Sequence, residues 1–123
     1  MILENHLHAV AQADNLPKVW ANFKSYTARK IIDHLQEQNT DFLLQRLAFG
    51  KKPHKSDRQF QFWQEGSHPQ VMACPKVLRQ KLQYIHENPV KRGYVELPEH
   101  WRYSSAQNYM GKQGLIEVFQ DWY

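Results

Sequence analysis

The 123-residue chain has the length of one domain with a modest hydrophobic core, and we predict a single domain over residues 1–123. No apolar run approaches the roughly 20 residues that cross a bilayer, and no basic-then-apolar signal opens the chain, which predicts a cytoplasmic protein without membrane contact. The single cysteine, Cys74, excludes an intrachain disulfide and a cysteine-based zinc cluster, and the net charge of +4 is compatible with a nucleic-acid partner without demonstrating one.

The chain opens with a predicted strand followed by a long helix. Leu3 to Gln12 is predicted to be a strand, in which alternate side chains point to the same face. Asn15 or Asp14 then caps a helix, and Pro17 suits its first turn. A second helix is predicted over residues 40–50, with glycine at its end. The long helix carries an apolar stripe at helical spacing, formed by Trp20, Phe23, Thr27, Ile31 and Leu35.

One more strand and two more helices complete the predicted elements. RQFQFWQ alternates aromatic residues with glutamines, which predicts a strand over residues 58–64. A third helix opens at residues 74–75 and stops at Asn88-Pro89, because the residue before proline is pushed out of helical geometry. A short helix is predicted near residues 104–109. Two strands are too few to cover these helices, so either further strands are missed or the chain lacks part of its sheet.

Four residues are predicted to converge on one site. His6 and His8 point to the same face of the opening strand, and Tyr84 and Asn88 lie one turn apart at the edge of the third helix's apolar stripe. If the helix packs across that strand face, two imidazoles, an amide oxygen and a phenol meet. The imidazoles and the amide oxygen suit a divalent ion with open positions, and the phenol suits attack on a phosphorus atom that the ion polarises.

Each of these residues also has an ordinary structural interpretation. A His-x-His pair in a strand is more often a surface feature than a ligand pair, and a tyrosine on a helix flank usually packs with its hydroxyl in solvent. Asn88 before Pro89 is most simply a helix C-terminal residue. Tyr26 is a rival nucleophile, but Lys30, four residues on, cannot ligate a metal as a cation, so Tyr84 with Asn88 is the better pair.

Basic residues cluster in two stretches of the sequence. Residues 51–58 carry Lys51, Lys52, Lys55 and Arg58 against a single acid, and residues 76–92 carry five basic residues against one acid. Such clusters contact phosphates in nucleic-acid-binding proteins, and they also occur as ordinary solvated loops or helix faces.

Five blocks of the sequence, in chain order, resemble the REP-associated tyrosine transposases, single-tyrosine members of the HUH nuclease superfamily related to small insertion-sequence transposases. The blocks are ENHLH, FKSYTARK, FWQEG, YIHENPVKRG and HWRYSSAQNY, and the resemblance runs from residue 1 to about residue 110. The resemblance implies an α+β fold, namely a ferredoxin-like, HUH-type antiparallel sheet with helices on one side.

The resemblance also implies a role for each residue of the predicted site. His6 and His8 match the metal-binding histidine pair, Asn88 falls at the third ligand, and the metal is Mg²⁺ or Mn²⁺. Tyr84 matches the nucleophile that becomes joined to the 5′ phosphate and releases a 3′ hydroxyl. The implied activity is nicking and rejoining of single-stranded DNA beside hairpins, by a monomer or a homodimer.

Residues outside the four-residue site are predicted to contact DNA. Trp63 is a candidate for stacking on a base, although a place in or at the edge of the core is the more frequent role of such a tryptophan. The predicted contacts to the phosphate backbone are Lys24, Lys51, Lys52, Lys55, Arg58, Lys91 and Arg92.

The sequence departs from the family pattern at its beginning. Relatives place a strand, a helix and a second strand before the histidine-bearing strand, whereas here Met1 lies five residues before His6. We therefore expect a chain that lacks its first strands and helix, as a truncated gene product, through a misplaced start codon, or as a remnant that completes its sheet with another subunit. Three hypotheses stay open: a DNA nuclease and strand transferase, a catalytically inactive DNA-binding remnant, and a metal-dependent hydrolase of small phosphoesters in which Tyr84 is only structural.

Overall fold

The computed structural model describes residues 1–122, which divide into two compact units. One unit is Ala11–His68, and the other joins Met1–Val10 to the described residues from Pro69 onward. The prediction of a single domain stays a prediction. None of the helices in residues 1–122 combines the length and the apolar character needed to cross a bilayer.

The unit Ala11–His68 is built on two helices that follow from local sequence signals. The first, α1 (Leu16–Glu37), begins where the Asn15 side chain accepts a hydrogen bond from the Lys18 backbone N–H at 3.2 Å, with Pro17 in the first turn. The second, α2 (Asp41–Phe49), follows Thr40 and ends at Gly50. Both predicted helices are confirmed, and α1 packs against α2.

The strand predicted over residues 58–64 is wrong, because these residues form an irregular segment. The backbone N–H of Gln61 donates to the Leu47 carbonyl of α2 at 3.2 Å, so one of its few backbone bonds goes to a helix end. Trp63 donates from Nε1 to Thr27 Oγ1 at 2.9 Å and lies beside the ring of Phe23. The segment therefore packs on α1 through a partly buried Trp63, and no strand within residues 1–122 pairs with it.

The other unit is organised around α3 (Pro75–Lys91). Its core includes Leu78 and Ile85 of this helix, together with Leu3 from the N-terminal segment and Ala106 of the short helix α4 (Ala106–Tyr109). A single 3₁₀ turn at Pro98–His100 packs against both α3 and α4. The third predicted helix and the short C-terminal helix are therefore confirmed.

The predicted stop of the third helix at Asn88-Pro89 is wrong, because α3 continues through Pro89 to Lys91. Pro89 is fully buried, so packing in this unit offsets the hydrogen bond that its missing N–H removes from the last turn. Two residues after the helix comes Gly93, whose φ of +74° suits a residue without a Cβ atom, and the Tyr94 N–H donates back to the Pro89 carbonyl at 2.9 Å.

The predicted opening strand over residues 3–12 is also wrong, because the N-terminal segment folds back on itself. Ile2 and Leu7 form one isolated antiparallel bridge, and the Leu3 N–H donates to the His6 carbonyl at 3.0 Å. The Ile2 N–H donates to the Tyr103 carbonyl at 2.9 Å. The backbone groups of the segment are therefore paired within a tight turn and with residues 101–103, and they form no extended ladder.

The α+β, ferredoxin-like antiparallel sheet predicted for the fold is contradicted. Residues 1–122 contain helices and one isolated bridge but no sheet. The physical reason is that each predicted strand lacks a neighbour: residues 58–64 pack on α1, and residues 1–8 pair mostly with themselves.

Candidate functional site

The N-terminal turn and α3 bring three predicted site residues together. The His6 and His8 rings lie 4.8 Å apart, centroid to centroid, with their planes at 84°. The His8 ring lies 6.0 Å from the Tyr84 ring, with the planes at 88°. Tyr84 is half-exposed, so its ring can contact His8 while DNA could still reach the side chain. Three of the four residues predicted to converge therefore lie together, and a turn rather than a strand brings the histidines to α3.

His8 has the protonation state and the free nitrogen that a metal ligand needs. Burial, reinforced by the nearby charge of His6, lowers the pKa of His8 below the ordinary value of 6.5, so the imidazole is neutral at pH 7. His8 Nε2 is shielded from solvent and has no hydrogen-bond partner within residues 1–122. A buried polar atom without a partner is costly, and a bound cation would satisfy it. His6 is engaged differently, since its Nδ1 lies 2.6 Å from Asn5 Oδ1.

Asn88 is buried, and its amide oxygen already has one partner. Arg92, one turn further along α3, donates from Nε to Asn88 Oδ1 at 2.9 Å. The same guanidinium donates to the Glu4 carboxylate at 3.1 Å. Tyr94 donates its hydroxyl proton to Glu4 Oε1 at 2.7 Å, and this bond is the main cause of a lowered pKa at Glu4. An amide oxygen has two lone pairs, so Asn88 keeps one for a second partner.

The donor set tolerates a divalent metal only if the amide takes part. Within residues 1–122 no group of three histidine, cysteine or acidic side chains is placed to hold a metal ion. Two imidazoles and one amide oxygen, with further positions left open, are ligands that Mg²⁺ or Mn²⁺ accepts. The unpartnered Nε2 of His8 fits this use. His6, His8 and Asn88 are the residues that would hold the ion.

Lys91 lies directly beside Tyr84. Its Nζ sits 5.7 Å from the centroid of the tyrosine ring and pairs with Glu87 at 2.8 Å, both within α3. Exposed ion pairs of this kind contribute little stability, so Lys91 can exchange its carboxylate partner for a phosphate at small cost. Among the predicted phosphate contacts, Lys91 and Arg92 belong to the same unit as Tyr84.

The other predicted DNA contacts belong to the unit Ala11–His68, and several have partners already. Glu65 pairs with Lys52 at 2.8 Å and with Lys55 at 2.9 Å, and His54 lies 2.9 Å from the same carboxylate. These bonds hold the pKa of Glu65 far below its usual range. Arg58 pairs with its neighbour Asp57 at 2.7 Å. The basic loop therefore presents less free charge than its sequence suggests.

Lys24, Lys51 and Trp63 complete the set of predicted DNA contacts. Lys24 makes one long hydrogen bond, from Nζ to the Gln64 carbonyl at 3.5 Å. Lys51 has no side-chain partner within residues 1–122. Trp63 uses its indole N–H on Thr27 and lies among aromatic rings, which is the core-edge role.

Sequence reasoning missed the parts that Glu4 and Tyr94 play around the site. Arg92 was predicted only as a phosphate contact, although its spacing of four residues from Asn88 could have indicated the bond between them. Glu4 and Tyr94 carry no local signal, because their hydrogen bond joins residues 90 positions apart in the sequence.

Comparison with known proteins gives one informative similarity. The chain is 35% identical over 122 residues, 98% of its length, to a Haemophilus influenzae protein named as a REP-associated tyrosine transposase. It spans 62% of the length of that protein. No protein-family model matches the chain. No solved structure matches it either.

Proposed function

We propose that the chain belongs to the REP-associated tyrosine transposases and that it nicks and rejoins single-stranded DNA beside hairpins. Similarity along nearly the whole chain to a protein named as such a transposase supports the family. One observation carries the chemistry: the ring of Tyr84 lies against His8, whose Nε2 is shielded and unpartnered.

In the proposed reaction Tyr84 is the nucleophile. Its phenol oxygen forms a bond to the scissile phosphorus as the bond from phosphorus to the 3′ oxygen breaks. The phenolic proton leaves to solvent, and the departing 3′ oxygen takes up a proton to become a hydroxyl. The DNA is left joined to Tyr84 through its 5′ phosphate, and attack by a 3′ hydroxyl on this phosphotyrosine reverses the steps and reseals a strand.

The surrounding residues bind and orient the phosphate. A bound Mg²⁺ or Mn²⁺ would polarise the phosphoryl oxygens and stabilise the charge that develops on them. His6 and His8 present neighbouring imidazoles, and His8 stays neutral at pH 7 because burial lowers its pKa. Lys91, whose Nζ lies over the Tyr84 ring, would neutralise a phosphate bound next to that tyrosine.

A second candidate is a DNA-binding protein without catalysis. Two observations favour it: residues 1–122 contain no sheet behind the histidines, and the positive charge of Arg92 lies against Asn88, where it repels a cation. Such a protein would bind DNA through its basic residues and leave the strand intact.

A covalent-adduct assay separates the two candidates. The chain is incubated with labelled single-stranded DNA that flanks a hairpin, in the presence of Mg²⁺ or Mn²⁺, and resolved on a denaturing gel. If the chain is a transposase, we expect a covalent protein–DNA adduct that is absent in Tyr84→Phe. The adduct should persist in Tyr26→Phe, a control substitution at an exposed tyrosine. Binding without an adduct supports the second candidate, and an adduct that survives Tyr84→Phe refutes the role given to Tyr84.

A further inference from the structure

Glu4, Arg92 and Tyr94 form a small polar network, called here the clasp, between the N-terminal segment and the end of α3. Glu4 Oε1 accepts hydrogen bonds from the Tyr94 hydroxyl at 2.7 Å and from the Arg92 guanidinium at 3.1 Å. The Tyr94 ring in turn stacks on Trp101, whose Nε1 donates to the Ile2 carbonyl at 2.9 Å. The N-terminal segment is thus held by hydrogen bonds on both sides of Leu3, three residues before His6.

Arg92 also controls the orientation of the Asn88 side chain. An amide has an oxygen at one end and an NH₂ group at the other, and the two ends have nearly the same shape. Arg92 Nε–H only donates, so its 2.9 Å bond to Asn88 selects the orientation in which the oxygen is the acceptor. The buried position of Asn88 keeps water from offering alternative partners to either end.

We propose that Arg92, with its charge offset by Glu4, is a positioning residue that aims the amide oxygen of Asn88 for use as a metal ligand. The inference rests on the proposed function, because it assumes that His6, His8 and Asn88 hold a divalent cation. It goes beyond that function by assigning Arg92, Glu4 and Tyr94 to metal binding, in addition to the phosphate contact expected of Arg92.

Arg92 has two opposing effects on metal binding. The guanidinium orients a ligand oxygen, and residues that orient metal ligands typically change affinity 10- to 100-fold when removed. Its positive charge repels a dication, and Glu4 reduces that repulsion. A positioning role therefore predicts weaker metal binding when Arg92 is neutralised, whereas a purely electrostatic role predicts tighter binding. The sign of the change decides between them.

The first experiment measures Mn²⁺ binding to the DNA-free chain by electron paramagnetic resonance, so it does not depend on catalysis. Arg92→Gln is expected to weaken Mn²⁺ binding about 10- to 100-fold. Glu4→Gln, which keeps an acceptor for Tyr94 but leaves the guanidinium charge uncompensated, is expected to weaken it by about two- to fivefold. Arg102→Gln, a matched change at an exposed arginine without a side-chain partner in residues 1–122, is expected to bind as the unaltered chain does.

The second experiment repeats the Arg92→Gln change in an Asn88→Asp background. A carboxylate has an oxygen at both ends, so no residue is needed to choose the end that faces the metal. The loss caused by Arg92→Gln should then shrink to less than about threefold if the role is orientation. A loss of the same size in both backgrounds overturns the proposal, and circular dichroism spectra of each variant show that the helices are retained.

The possible failures are distinguishable. If the unaltered chain binds no Mn²⁺, the proposed function fails, and the positioning role fails with it. If the unaltered chain binds Mn²⁺ and Arg92→Gln binds it equally well or more tightly, the positioning role fails while the proposed function survives.

Discussion

The rings of His8 and Tyr84 are in edge-to-face contact, with centroids 6.0 Å apart and planes at 88°, so the N-terminal turn contacts α3 at Tyr84. An edge-to-face pair of this kind contributes about 0.5–1.5 kcal/mol beyond the area that it buries. The contribution of this contact to stability can be measured separately from the proposed role of His8 in metal binding.

His8→Ala is predicted to abolish Mn²⁺ binding and to destabilise the chain by about 1 kcal/mol, through loss of the ring contact with Tyr84. Isothermal titration calorimetry measures the first effect, and urea unfolding measures the second. His68→Ala, at an exposed histidine in the unit Ala11–His68, is the control and should change neither. Unchanged Mn²⁺ affinity in His8→Ala would remove His8 from the ligand set.

The stability of the chain is predicted to fall as the pH drops below about 6.5, with His86 as one source. Burial lowers the pKa of His86, which lies 2.9 Å from Ser105 Oγ and beside the Tyr109 ring. Between its folded and unfolded pKa values the unfolded chain binds a proton that the folded chain does not. The stabilisation is therefore complete above pH 6.5 and is lost as the pH falls toward the lowered pKa.

His86→Gln tests this dependence, because glutamine can still bond to Ser105 but does not titrate. Urea midpoints at pH 7.5 and pH 5.5 should differ less in His86→Gln than in the unaltered chain. The difference should not vanish, because His8 also has a lowered pKa and contributes with the same sign. His100→Gln, at an exposed histidine, is the control, and a pH dependence unaffected by His86→Gln would contradict the prediction.

The helices were predictable because their signals are local. Asn15 accepts the capping hydrogen bond that its position before Pro17 indicates, and the helix that follows has the predicted apolar spacing. Pro89 shows where a local rule fails. Proline normally ends a helix near the preceding residue, but here full burial of the ring keeps the last turn of α3 intact.

The strands were not predictable, because a strand exists only if another strand pairs with it. Residues 58–64 have the alternation of a strand, yet Trp63 bonds to Thr27 and the segment packs on a helix. The sequence predicted that His6 and His8 lie side by side, but it placed them on a strand, whereas a turn brings them together. The hydrogen bond between Arg92 and Glu4 depends on how that turn packs against the end of α3, and the spacing of residues in the sequence does not predict this packing.

Glu65→Gln is predicted to strengthen the binding of single-stranded DNA and to steepen its dependence on salt. The carboxylate of Glu65 forms ion pairs with Lys52 and Lys55 and a hydrogen bond with His54. Neutralising this carboxylate therefore leaves the two lysines available to bind DNA phosphates. Each additional phosphate contact adds about 0.7 to the slope of log K against log salt for a single strand. Fluorescence anisotropy at several salt concentrations measures that slope.

Glu96→Gln is the matched control for Glu65→Gln. It removes the same charge from an exposed glutamate that has no side-chain partner in residues 1–122, so it tests whether net charge alone explains the result. Equal effects of the two changes would mean that the basic loop has no special part in binding, and the predicted contacts at Lys52 and Lys55 would then be wrong.

Trp63→Phe is predicted to lower stability without changing affinity for single-stranded DNA. The indole N–H donates to Thr27 at 2.9 Å, and the ring lies 5.0 Å from Phe62 and 6.1 Å from Phe23, so the side chain is committed to its own unit. Loss of the hydrogen bond costs about 1 kcal/mol, and the smaller ring adds a packing loss of similar size. In urea unfolding, the double variant Trp63→Phe with Thr27→Val should lose less free energy of unfolding than the sum of the two single variants, because both substitutions remove the same hydrogen bond. A base-stacking tryptophan would behave in the opposite way: its replacement would weaken DNA binding and leave the unfolding midpoint nearly unchanged.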